Sequence, residues 1–328
     1  MSSKHLIFIN TMCEKIENAR MKKFVVRILF FGIPIIVFLF LTEYLLRNIP
    51  NDYSYKNAYL KENAKNIETL FLGSSHAYYG INPKYFSGNS FNASHISQTI
   101  DLDYKLIDKY ASDFKKLEYI VIPIDYFSLF TRTSTGIEAW RMKNYNIYYD
   151  LKASSNPKDY FELFSFSFKK SIQRITASYY DEKNNMTCSR LGYGIIDSKQ
   201  ADLIETGKTA AERHTKKDYT YLDESIEIIN KIIDYAEKNN KTVLFYTSPA
   251  YSSYRNNLDS TQLKTTINKM DSISKNHINS FYINLLDDKS FIADDFRDGD
   301  HLNMMGAKKL TMMINSYIEK IKHFQQLN

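Results

Sequence analysis

Two short stretches of the chain carry residue types that could do covalent chemistry together. One is Thr69–Pro83, "TLFLGSSHAYYGINP", an apolar run that stops on Gly73-Ser74-Ser75-His76. The other is "DGDHLN", with Asp298 three residues before His301 and Asn303 shortly after it. A serine hydroxyl is a poor nucleophile at neutral pH unless a base removes its proton, and an imidazole is the usual base. The imidazole in turn needs a carboxylate to fix its tautomer and to stabilise the imidazolium. Asp298 can reach the ring of His301 from the same turn, whereas Asp300 is too close along the chain to fold back as easily. Ser75, His301 and Asp298 are therefore the candidate nucleophile, base and orienter. Either stretch alone has an ordinary reading, as a strand end on small residues or as a helix cap beside a surface histidine.

These residues need elements that bring the two ends of the chain together. Ile67–Leu72, Ser90–Ala93, Tyr119–Ile124, Thr242–Thr247 and Ser280–Leu285 read as strands, most of them apolar throughout. Helical spacing of apolar residues lies between them, over Thr99–Leu117, Asp223–Glu237, Ser260–Lys275 and Met304–Ile321. Fully apolar strands alternating with helices imply an α/β fold whose parallel sheet is covered on both faces. Such sheets hold ligands at the carboxyl ends of their strands, where Gly73-Ser74-Ser75 falls.

Residues 127–221 break that rhythm and are expected to be a mainly helical, aromatic-rich insertion. Fourteen of the 55 residues from Tyr126 to Tyr180 are Phe, Tyr or Trp, against 15% in the whole chain. Aromatic faces can stack on sugar rings, and Trp140 is the candidate for that contact; local packing is the competing explanation.

Residues 24–46 are mainly apolar, with no charge from Ile28 to Thr42, and read as a transmembrane anchor flanked by Arg27 and Glu43. A cleaved signal peptide is the alternative, but the apolar stretch is long and no small-x-small site follows. Lys15, Arg20, Lys22, Lys23 and Arg27 precede the span and Arg47 follows it. The expected topology is therefore a single pass of the inner membrane, with residues 1–23 in the cytoplasm and the rest outside. Residues 47–65 read as a polar linker, and 66–328 as the folded domain. Of the net charge of +6, four units belong to the first 50 residues, so the exported part is near neutral and nucleic acid is not an expected partner. The two cysteines, Cys13 and Cys188, would lie on opposite sides of the membrane and cannot pair. No spacing suggests a metal site, and no cofactor is expected.

With both motifs in place, the chain resembles the SGNH (GDSL-like) hydrolases, and in particular their membrane-anchored, envelope-facing branch of polysaccharide O-acyltransferases and D-alanyl-transfer proteins. The resemblance covers roughly 66–125 and 220–322, with Gly73-Ser74-Ser75 as the first block and Asp298/His301, followed by "HLNMMGA", as the last. It implies a three-layer αβα, flavodoxin-like fold and a Ser75–His301–Asp298 triad. It also implies an oxyanion hole from the backbone N–H groups of Ser75 and, in the second block "FNASHIS", Ser94. Asp125, in "YIVIPIDYFS", would stand where the family has an Asn side-chain donor, and a carboxylate there would repel an oxyanion. His76, His95, Asp125, Asn303 and Trp140 are then candidates for positions near the substrate, and His214, His277 and His323 for the surface.

The implied function is a serine acyltransferase or esterase acting on O-acyl, chiefly O-acetyl, groups of an envelope or exported polysaccharide. Its implied partners are that polysaccharide, the lipid bilayer and a multispanning membrane protein that carries acyl groups. The rival implication is a catalytically inactive glycan-binding or assembly protein that keeps the fold.

Overall fold

A computed structural model describes residues 3–181, 185–195 and 199–327, with the backbone alone for 3–17 and 19, so Cys13 lies outside the described side chains. Eleven helices and five strands are described. The chain opens with α1 (Ser3–Arg47) and α2 (Asp52–Asn63), then β1 (Thr69–Phe71), α3 (Ser75–Gly80), β2 (Ser90–Asn92), α4 (Ile100–Tyr110) and β3 (Tyr119–Pro123). It continues through α5 (Met142–Tyr149), α6 (Phe168–Tyr179), α7 (Leu203–His214), α8 (Leu222–Lys238) and β4 (Thr242–Thr247). Last come α9 (Ser252–Arg255), α10 (Ser260–Lys275), β5 (Ser280–Asn284) and α11 (Met304–Leu327).

The five strands form one sheet in the order β2-β1-β3-β4-β5, every pair parallel. Alternation along each strand divides the core. Leu70, Leu72, Ile120, Ile122, Val243 and Phe245 face one layer with residues of α2, α4, α5 and α8. Phe71, Val121, Leu244 and Tyr246 face the other, with Leu310, Ile314 and Ile318 of α11. This is the three-layer αβα arrangement: a pleat with period two, apolar on both faces, requires helices on both sides.

The chain divides into two compact units, Met1–Ile49 with Phe161–Lys183, and Pro50–Tyr160 with Asn184–Asn328. Two expectations about organisation change as a result. Residues 47–65 are not a linker: α2 buries Tyr53, Lys56, Asn57 and Leu60, and the Lys56 ammonium donates to the Ser94 carbonyl at 2.5 Å. Nor is 127–221 one insertion. Tyr145 and Tyr149 of α5 are fully buried in the main core, and α7 packs against α9, while α6 belongs with α1.

Between Arg20 and Arg47, α1 is long and apolar enough to cross a membrane: an 18-residue window within it has a mean hydropathy of 2.8 and is exposed rather than buried in the protein.

Candidate active site

At the carboxyl end of β1 the chain turns on Gly73, whose φ is +109° and where a Cβ would sit 2.5 Å from the Pro123 ring. No other residue fits that turn without displacing β3. Asp103 of α4 holds the turn, accepting the Gly73 N–H at 2.9 Å and the Gln98 amide at 2.5 Å. Burial raises the Asp103 carboxyl to about 7 against the lowering effect of these bonds. Ser74 is buried and caps α3, its hydroxyl accepting the His76 N–H at 3.4 Å. Ser75, the first residue of α3, is half-buried, and its hydroxyl is bonded to the turn before α11. Of the two adjacent serines, the helix start therefore presents the second.

The other half of the site comes from a tight turn before α11, closed by a bridge between Phe296 and Leu302. His301 Nε2 lies 2.8 Å from Ser75 Oγ, and its Nδ1 lies 2.9 Å from Asp298 Oδ1. Asp298 Oδ1 also accepts the backbone N–H of His301 at 2.8 Å, and its Oδ2 binds the Arg297 guanidinium at 2.7 Å. The carboxylate is thus fixed from both sides, and its pKa is lowered despite burial, which acts to raise it. Asp300, the carboxylate expected not to fold back, also reaches Nδ1, at 3.3 Å. Burial acts to lower the pKa of His301, but Asp300 and the Asp298 hydrogen bond outweigh it and hold it above the ordinary histidine value.

His76 lies beside this group, with ring centroids 4.9 Å apart, and is wired differently. Its Nδ1 is 2.8 Å from Asp125 Oδ2 and its Nε2 is 3.5 Å from Asp300 Oδ2, all with side chains 4% exposed. Burial opposes its charge, yet the two carboxylates raise its pKa to about 10. His76 is therefore an imidazolium at neutral pH. This resolves the position of Asp125, whose Oδ1 accepts the Ser248 N–H at 2.8 Å while Oδ2 holds His76. Both carboxylate oxygens are thus taken, and the charge is matched by His76. His76, Asp300 and His301 offer ligand atoms within 4.8 Å of one another, but these atoms already share protons within this hydrogen-bonded group.

A cavity of about 660 Å³ opens over Ser75 and His301, and its walls include Ser97, Ile137, Arg213, His214 and Arg297. Ser94 does not reach it. That residue is fully buried and its N–H is bonded to Asn92 Oδ1 at 3.1 Å, so the expected oxyanion donor has no N–H to offer the cavity; the residue of the same turn that lines the cavity is Ser97. Ser97 is half-exposed on the cavity, held at φ +59° with its carbonyl bound by the Thr133 hydroxyl at 2.5 Å. Ser97 lies three residues beyond the position read from the sequence.

The remaining candidates fall away from the cavity. His95 is a core residue, stacked on Tyr53 at 3.9 Å and bonded through Nε2 to the Tyr149 hydroxyl at 2.9 Å. Burial lowers its pKa well below the ordinary value, so it stays neutral. Asn303 caps α11, its Oδ1 accepting the N–H groups of Met305 at 2.9 Å and Gly306 at 3.1 Å. Trp140 is exposed with the Arg141 guanidinium 4.4 Å from its ring, and the cavity is lined by its neighbours Ile137 and Glu138 instead. His214, expected on the surface, belongs to the cavity wall, its Nδ1 2.8 Å from the Tyr254 hydroxyl. Burial lowers its pKa to about 3. The α7 helix that carries it touches the Asp298–His301 turn so closely that a Cβ on Gly299 would lie 2.2 Å from the Cα of Gly207.

No protein-family model matches the chain, and no curated protein matches it either. Solved structures do. A GDSL-like lipase from Bacteroides thetaiotaomicron is 12% identical over 82% of this chain and 98% of its own, with a TM-score of 0.40. A protein described as an acylhydrolase from Bacteroides fragilis is 10% identical over 80% and 95%, with a TM-score of 0.39. One described as a platelet activating factor from Streptococcus pneumonia is 10% identical over 88% and 98%, with a TM-score of 0.40.

Proposed function

We propose that the protein is an SGNH-type serine enzyme that moves or removes an O-acyl group, chiefly acetyl, on an envelope or exported polysaccharide. The observation that carries the reading is the unbroken chain from Ser75 Oγ through His301 to Asp298, at 2.8 and 2.9 Å. In that reading Ser75 Oγ attacks the acyl carbonyl while His301 Nε2 takes the hydroxyl proton. Asp298 keeps the other ring nitrogen protonated and stabilises the imidazolium. In the same reading the oxyanion is stabilised by the backbone N–H groups of Ser75, at the start of α3, and of Ser97, on the cavity wall. His301 then protonates the departing oxygen, leaving the acyl group as an ester on Ser75. A water or a sugar hydroxyl, deprotonated by the same imidazole, attacks that ester and restores the serine. Hydrolysis and transfer share every residue, and no step needs a cofactor.

Placement on the outer face of the inner membrane, anchored by α1, favours transfer to a growing or exported polymer, with a multispanning acyl carrier as donor. That preference follows the resemblance to the envelope-facing branch. Labelling with a fluorophosphonate tests the enzymatic reading: wild type is expected to be labelled, and Ser75→Ala not. Absence of labelling together with absence of acyl-ester turnover overturns it in favour of a binding protein. Where labelling occurs, acetate release compared with acetyl transfer to an oligosaccharide separates esterase from transferase.

A further inference from the structure

The unit built from α1 and residues 161–183 has an apolar surface beyond α1 itself. Phe161, Phe164, Phe168, Ile172, Tyr179 and Tyr180 are all exposed. On α6, Phe168, Ile172 and Tyr179 recur at four and seven residues and so lie along one side of the helix. Lys169 and Lys170 are exposed beside the first of them. A contiguous group of large apolar side chains rimmed by lysines is uncommon on a water-facing surface.

This segment is fastened to the last turns of α1. The Glu43 carboxylate accepts the backbone N–H groups of Glu162 at 3.0 Å and Leu163 at 2.8 Å. The same carboxylate accepts from Arg47 Nε at 2.6 Å, so its charge is matched. The Tyr179 hydroxyl donates to the Leu45 carbonyl at 2.9 Å, and Arg174 pairs with Glu162 at 2.8 Å. Phe38 and Phe168 meet with ring centroids 5.9 Å apart, so the apolar side of α1 continues onto α6 without a polar break. Whatever covers the apolar length of α1 therefore also reaches α6.

We propose that residues 161–180 form a membrane-interface collar around the outer end of α1. In this arrangement the α6 stripe lies in the boundary between headgroups and acyl chains, and Lys169 and Lys170 face lipid phosphates. The occupant is a phospholipid leaflet. The inference rests on α1 being a membrane span and is independent of any activity at Ser75. It also makes α1 a lasting part of the protein, because its final turns hold a segment that follows some 119 residues later.

Single-tryptophan reporters test it in the full chain. Trp140 is the only tryptophan, so Trp140→Phe gives a silent background into which Phe30→Trp, Phe164→Trp and Phe168→Trp are placed separately. Each protein is reconstituted into phosphatidylethanolamine–phosphatidylglycerol vesicles with lipids brominated either near the carbonyl or near the chain end. The collar predicts blue-shifted emission at 164 and 168, with about two-fold quenching by the shallow bromines and less by the deep ones. Phe30→Trp, in the apolar middle of α1, should be quenched more by the deep bromines. Water-like, unquenched emission at 164 and 168 with Phe30→Trp quenched overturns the collar alone. Blue-shifted but unquenched emission there means that protein covers the patch, which also overturns it. Failure of all three reporters to quench overturns the span as well.

Discussion

Two histidines lie 4.9 Å apart at the carboxyl edge of the sheet, and their surroundings give them opposite chemistry. His301 has a serine hydroxyl on one ring nitrogen and carboxylates on the other, so one end is free to exchange a proton with a substrate-facing group. His76 has a carboxylate at each end and no opening to the cavity. Both have raised pKa values, yet only His301 has a ring nitrogen on a hydroxyl at the cavity. A raised pKa beside a carboxylate therefore marks a charge, and the partner on the other nitrogen decides whether that charge is structural or catalytic.

The largest effect that separates them comes from removing the base. His301→Gln should lower the rate of fluorophosphonate labelling at Ser75 by about 10³-fold with the melting temperature little changed. Labelling at the wild-type rate would break the comparison, since the proton of Ser75 would then leave by another route.

For His76 the expected signature is in stability. Its pKa is raised to about 10, above the ordinary value near 6.5, so the folded protein holds a proton that the unfolded chain loses. That contribution is complete below about pH 6.5 and is lost progressively as pH rises toward 10. Thermal unfolding followed from pH 6 to 10 should show wild type losing stability relative to His76→Gln as pH rises, with the difference smallest at the alkaline end. Taking the difference matters because Lys56, lowered by burial to about 8, titrates in the same window with the opposite sign. A pH-independent gap between the two proteins would show that His76 is neutral in the fold.

The same two histidines show what could be read from sequence. β4 and α10 have the bounds expected for them, because one is an unbroken apolar run and the other begins at an Asp cap and ends at an Asn. That Ser75, His301 and Asp298 meet is legible in the sequence, because the proposed nucleophile, base and orienter need three definite residue types at two chain ends. What was hidden depends on backbone conformation and on charges meeting across the fold. In "NASHIS" the residue types do not show that Ser94 spends its N–H on Asn92 while Ser97 takes a positive φ. Asp125 looked harmful on its own and became intelligible only with His76 against it. The α2 helix is not legible in the sequence because one of its buried positions is Lys56, a residue that periodicity counts as outward-facing.

The smallest expected effect lies within the last motif itself. Asn303 sits two residues after the proposed base, yet its side chain is spent on capping: Oδ1 receives the N–H groups of Met305 and Gly306, and Nδ2 donates to the Asp294 carbonyl at 2.6 Å. Asn303→Ala should then cost about 1 kcal/mol of folding stability, read as a fall of a few degrees in melting temperature. Labelling of Ser75 at a saturating temperature well below that transition should stay within about two-fold of wild type, because no bond from Asn303 ends on a group that exchanges a proton. A large loss of labelling with an unchanged melting temperature would place Asn303 with His301 rather than with the scaffold, and the boundary between chemistry and capping in "DGDHLN" would have to move by two residues.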